Sequence, residues 1–139
     1  MNIKYSENTL TVDEYYKFDK KMWNRETFPK EQIERFLPRQ LFSISAIIDN
    51  EIVGIARLDG DTACNFYIND VYVLPEYQGK GIGSFMMKKL IQYVKEMCIP
   101  GTTVYITLFS SKGKEPFYEK LGFERHSGGM EMEFVTGDE

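Results

Sequence analysis

The chain has 139 residues, 42% hydrophobic and 14% aromatic, which is enough for one domain with a real core and excludes a disordered chain. Its 17 basic and 21 acidic residues leave a net charge of −4, so no basic face for nucleic-acid phosphates is expected. No apolar run approaches the ~18 residues of a membrane span.

Residues 1–7 carry no apolar signal core, so the expected setting is cytoplasmic, without a membrane partner. Cys64 and Cys98 have no companion Cys or His at zinc spacing, and are read as reduced thiols. His126 is the only histidine and is expected at the surface. A His-based triad or a multi-histidine metal site is therefore unavailable, and no metal is expected.

In chain order, residues 3–5 suit a short strand. Thr11, with Glu14 three positions later, is a capping box that opens a helix to about Trp23. Val12, Tyr15, Tyr16, Met22 and Trp23 fall roughly on one side of it. Pro29 suits the first turn of a second helix, with Ile33, Phe36 and Leu37 on one face and Pro38 as its stop. Three strands follow: 41–48, 51–58 with Gly54 as a candidate bulge, and 63–74, ended by Pro75.

Ile82, Phe85, Met86, Leu90, Tyr93, Val94 and Met97 hold helical spacing over four turns. Residues 102–109 alternate as a strand, and Pro116 starts a short helix over 117–121 that Gly122 closes. Residues 123–127 and 130–135 read as two short closing strands, and 136–139 as a polar tail. The order β-α-α-β-β-β-α-β-α-β-β implies an α/β (α+β mixed-sheet) fold with helices on both faces.

Gln78-Gly79-Lys80-Gly81-Ile82-Gly83 joins the long strand to the long helix. The first N–H groups of a helix have no intrahelical partner, and the helix dipole adds partial positive charge there. Glycines let that backbone approach an anion closely. The reading is a phosphate or pyrophosphate on residues 79–84. A P-loop is excluded, because Gly81 follows Gly79-Lys80 where a magnesium-binding hydroxyl should stand. A dinucleotide fingerprint does not fit either, because the third glycine comes one residue early and several strands precede it.

The run Val71-Tyr72-Val73-Leu74-Pro75-Glu76-Tyr77-Gln78-Gly79-Lys80-Gly81-Ile82-Gly83 closely resembles the acetyl-CoA loop of the GNAT acetyltransferase superfamily. Gly113-Lys114-Glu115-Pro116-Phe117-Tyr118-Glu119-Lys120-Leu121-Gly122-Phe123 resembles its second motif. The predicted element order is also that of the GNAT fold, over one domain spanning 1–139. The resemblance implies acetyl-CoA as cofactor, coenzyme A as product, and transfer to a primary amine of a small molecule. Two alternatives stand beside it: a module that senses acyl-CoA without turnover, and an acetyltransferase acting on protein lysines or N-termini.

By the same resemblance, backbone groups of Val71, Tyr72 and Val73 line the pantetheine arm. Gln78, Gly79, Lys80, Gly81, Ile82, Gly83 and Ser84 take the pyrophosphate, and Phe117 and Tyr118 lie at the sulfur. Tyr118 is the expected general acid, a phenol that is neutral at pH 7 and can donate to a thiolate. Asp70 is a candidate base or ammonium-attracting carboxylate, facing the same side as Tyr72 and opposite Val71 and Val73. Glu26 is a further candidate for acceptor contact. Where many members carry an Asn, this chain has Ser110, Ser111 and Lys112, and a serine hydroxyl such as that of Ser110 can serve instead. Dimerisation is common in the family, and the sequence does not decide it.

Overall fold

The computed structural model describes residues 2–137. The tail read at 136–139 therefore extends beyond the described residues. The chain divides into two units, Met1–Leu108 and Phe109–Glu139.

The first unit is a five-stranded sheet in the order β1-β2-β3-β4-β5 with three helices. The strands are β1 (Lys4–Glu7), β2 (Phe42–Ile48), β3 (Glu51–Gly60), β4 (Asn65–Val73) and β5 (Tyr105–Thr107). The first four run antiparallel, and β5 runs parallel to β4. The helices are α1 (Val12–Trp23), α2 (Lys30–Phe36) and α3 (Ile82–Met97).

α1 starts where its capping box places it. Thr11 Oγ1 accepts from the Glu14 N–H at 3.1 Å, and Glu14 Oε1 accepts from the Thr11 N–H at 2.9 Å. Asn24, left-handed at φ 55°, caps its other end. α1 buries Tyr15, Phe18 and Asp19. Tyr15 stands in the face read from the sequence, Phe18 falls three positions on from it at helical spacing but was not included, and a buried aspartate carries no apolar signal. α2 starts after Pro29 at the N-cap, and a 3-10 turn over Leu37–Arg39 follows it.

α3 buries Ile82, Met86, Met87, Leu90 and Val94. Each such side chain contributes roughly 1.5–3 kcal/mol by leaving water. Phe85 stands outside this stripe and stacks on Tyr5 of β1 at 3.9 Å between ring centroids. Gly54 of β3 lies under α3. A Cβ there would come within 3.3 Å of Ile82 Cγ2 and Met86 Cε, so the missing side chain sets how closely helix and sheet approach.

Two bulges interrupt the ladders. Ala46 faces Gly54 but Ile47 faces Ile52, which leaves Val53 as the extra residue beside the expected Gly54. Arg57 faces Asp70 but Leu58 faces Ile68, which leaves Asn69 as the extra residue on β4.

In the second unit α4 spans Glu115–Glu119, with Pro116 in its first turn. Gly122 at φ +103° lets the Phe123 N–H return to the Tyr118 carbonyl at 3.2 Å. Residues 123–127 and 130–135, read as two strands, form none. Met130 and Met132 are 93% and 84% exposed. Apolar–polar alternation supplies the side chains of a strand but not the neighbour that satisfies its backbone. The five strands and the helices nevertheless make the mixed α/β sheet that the sequence predicts.

Candidate active site

β4 pairs with β5 only through Asn65, Phe66 and Tyr67. Beyond Tyr67, no strand among the described residues continues that ladder on this side of β4. The Leu74 N–H donates to Val53 O of β3 at 2.9 Å. Backbone polar groups alternate sides along a strand, so those of Val71 and Val73 point away from β3, into the opening. The Val73 carbonyl there accepts from Gln78 Nε2 at 2.9 Å, which ties the start of the glycine loop to the strand end.

The chain leaves β4 through a 3-10 turn over Pro75–Tyr77 and enters the loop. Gly79 and Gly81 hold φ of +79° and +82°, and a Cβ on either would meet nothing within 4 Å. The loop's glycines therefore answer a backbone conformation, and the space above them is open. Gly81 is the N-cap of α3 without a side-chain cap, and the first bond into the helix runs from the Phe85 N–H to Gly81 O at 3.0 Å. The N–H groups of Ile82, Gly83 and Ser84 thus form the unsatisfied first turn. Ile82 buries its side chain in the core, while Lys80 is exposed. The seven residues read for an anion therefore come together at one helix start.

Asp70 lies on the α1–α2 face of the sheet. Its Oδ2 accepts from Arg57 Nε at 2.6 Å and from the Tyr15 hydroxyl at 2.9 Å. The Arg57 guanidinium lies over the Tyr15 and Phe36 rings and donates to Gln40 Oε1 at 3.4 Å. Burial pulls Arg57 down, but Asp70, Tyr15 and Asp59 more than offset it, so its pKa stands above the ordinary value. Burial, followed by the charge of Asp70, pushes the Tyr15 and Tyr72 phenols well up.

Asp19 accepts from Thr27 Oγ1, and burial, followed by the charge of Asp70, raises its pKa. Trp23 packs edge-on against Tyr72 at 5.2 Å and remains 40% exposed. Among the buried ionisable groups, the two carboxyls of Asp19 and Asp70 stand in one layer with the Arg57 guanidinium. Sequence reasoning found Asp70 and Tyr72 but missed Arg57 and Tyr15 as the partners of Asp70, and the buried Asp19 nearby. The one available signal was an arginine set among apolar residues of β3. Glu26, the further acceptor candidate, is exposed and accepts from the Tyr16 hydroxyl at 2.7 Å.

In the second unit Tyr118 is half-buried, edge-on to Phe117 at 5.0 Å and to Phe123 at 6.0 Å. Burial raises its phenol above the ordinary value, so it stays protonated at neutral pH. The Ser110 hydroxyl donates to the Ser111 carbonyl at 2.8 Å. His126 is exposed, and its Nδ1 accepts from the Gly128 N–H.

Residues 9–123 match the family model for the acetyltransferase (GNAT) family. The chain belongs to the GNAT family. It is 36% identical over 86 residues to the chloroplastic GCN5-related N-acetyltransferase 2 of Arabidopsis thaliana, covering 62% of this chain and 32% of that protein. It is 32% identical over 105 residues to the [ribosomal protein bS18]-alanine N-acetyltransferase of Haemophilus influenzae, covering 73% and 64%. The GNAT chain thus spans about a third of the plant relative and less than two thirds of the bacterial one. A crystal structure from methicillin-resistant Staphylococcus aureus, a protein of unknown function described as a probable acetyltransferase, superposes with a TM-score of 0.84. It shares 27% identity and covers 96% of this GNAT chain and 100% of that chain.

Proposed function

We propose that this GNAT chain transfers the acetyl group of acetyl-CoA directly to a primary amine within a ternary complex. One observation carries the reading: the glycine loop at the start of α3 adjoins the unpaired edge of β4. N–H groups of residues 79–84 suit a pyrophosphate, and the open face over Gly79 and Gly81 leaves it room. The backbone of Val71 and Val73 suits the amide groups of a pantetheine arm, in the manner of an added strand. Tyr72, between them, turns its side chain to the acceptor face. Ser110 supplies a hydroxyl where many family members place an amide.

In the reaction the amine nitrogen attacks the thioester carbonyl, the C–S bond breaks, and coenzyme A departs. A β4 backbone N–H near the thioester polarises its oxygen. Tyr118, beside Phe117, gives its proton to the departing sulfur, and its raised pKa suits a donor that remains protonated until the thiolate forms. Asp70 has its Oδ2 engaged by Arg57 and Tyr15, so its role in this reading is electrostatic. With Asp19 it makes the acceptor face rich in carboxyl oxygens, which suits an incoming ammonium. The ammonium gives one proton to water before it attacks, and the second proton lost by nitrogen after attack returns through water to Tyr118.

The test is thiol release from acetyl-CoA against an amine panel, with coenzyme binding followed by thermal shift. Tyr118→Phe is expected to slow turnover about a hundredfold with coenzyme affinity kept. Unchanged turnover would remove Tyr118 from its role. A thermal shift with no turnover on any amine would make the chain a coenzyme sensor. A peptide N-terminus is a second acceptor reading, favoured by the likeness to the H. influenzae protein that acts on a ribosomal alanine.

A further inference from the structure

On the α1–α2 side of the sheet lies a shallow, solvent-open hollow that the acetyl-transfer step itself does not use. It measures about 570 Å³ and is lined by Gln32, Arg35, Phe36, Arg39, Asp59 and Gly60. Arg35 stands in the last turn of α2, and Arg39 closes the 3-10 turn that follows it. Arg39 Nη1 donates to the Arg35 carbonyl, which folds its guanidinium back toward the same lip. Among the described residues, no ion pair is made by either arginine. The one carboxylate in the wall, Asp59, accepts from Asn69 Nδ2, the bulge residue of β4. The wall therefore carries two cations against one occupied anion, with an amide and an aromatic ring beside them.

The cavity adjoins the acceptor face. Phe36, in its wall, packs against the Arg57 guanidinium at 4.8 Å and edge-on against Tyr15 at 5.4 Å. Arg57 and Tyr15 are the two groups that hold Asp70. A planar guanidinium offers paired donors that match the two oxygens of a carboxylate. A second cation, as in a polyamine, would meet repulsion here.

We propose that this cavity seats an acidic group of the acceptor, so that the substrate is an amine carrying a carboxylate several bonds from the reacting nitrogen. ω-Amino acids have this form. The inference rests on the acetyl-transfer reading for its amine end, and on the α2 arginines alone for its acid end.

The experiment compares 6-aminohexanoate with hexylamine, which differ only in the carboxylate. In the wild-type chain kcat/KM is expected to favour 6-aminohexanoate by about tenfold, through KM, as for a hydrogen bond to a charged group. In the Arg35→Gln/Arg39→Gln variant that ratio falls to about one. Circular dichroism confirms that the variant folds. NMR titration with 6-aminohexanoate in the presence of coenzyme A reads the acid site without turnover: its shifts at α2 appear in the wild type and vanish in the variant. A ratio near one in the wild type, or one that survives in the variant, overturns the proposal. Loss of turnover on both amines with the α2 shifts retained would sink the transfer reading and keep the carboxylate site. Absence of the shifts would overturn the site itself.

Discussion

Arg57 and Asp70 lie thirteen positions apart and meet because β3 and β4 are consecutive antiparallel strands with a bulge between the pair and the hairpin end. Both are nearly inaccessible, at 5% and 7% exposure. Removing one partner of a buried pair leaves the other charged without compensation. Arg57→Met is accordingly expected to cost about 3–5 kcal/mol in urea unfolding. A loss below ~1 kcal/mol would mean that water reaches Asp70 and replaces the guanidinium. Ser43 and Ser45 on β2 add two buried hydroxyl oxygens without a hydrogen-bond partner, so this polar layer carries desolvation cost beyond the ion pair. Nothing in the sequence distinguished Asp70 from an exposed aspartate. Its neighbours Tyr15 and Arg57 come from separate elements, and only their convergence buries it.

Among the elements, the loop and first turn of α3 were the most legible. Glycine spacing, the preceding Pro75 and the helical period all act within a few residues, so the sequence contained the whole signal. Gly81→Ala tests what the glycine is for. Left-handed backbone costs a residue with Cβ about 1–2 kcal/mol, and no neighbour resists the methyl. Gly101 has the same geometry, with φ +84° and nothing within 4 Å of its Cβ. Both alanine variants are expected to lose similar stability in thermal unfolding, and Gly81→Ala alone to bind acetyl-CoA at least about tenfold more weakly. Equal affinities would mean that the loop does not carry the anion. The capping box of α1 was legible for the same short-range reason. The α1 face was legible only in part: Tyr15, Phe18 and Asp19 fall at i, i+3 and i+4, but an aspartate carries no apolar signal and the neighbouring aromatics Tyr16 and Trp23 blur the stripe.

For the molecule as a whole, the feature on which the proposed function turns is the β5 side of β4, where pairing stops after Tyr67. The amides of Val71 and Val73 are expected to exchange with deuterium faster than that of Leu74, which is bonded to β3. Acetyl-CoA should protect the first two by at least about tenfold if the cofactor arm adds along this edge. Exchange read residue by residue by NMR decides it, and unprotected Val71 and Val73 would place the arm elsewhere.

The sequence alone determined the strand–loop–helix junction at residues 78–84, the alternation that sets Asp70 and Tyr72 opposite Val71 and Val73, and the order of elements up to α4. These depend on turn chemistry and on periods of 2 and 3.6 residues, which are local. It overreached at 123–127 and 130–135, where alternation was present but no neighbouring strand pairs with it. Only the tertiary structure decided the bulge at Asn69, the Arg57–Asp70–Tyr15 pairing, the short β4–β5 ladder and the arginine-lined cavity. Each of these depends on which distant strand or helix supplies the partner, and side-chain identity along the chain does not encode that register by itself.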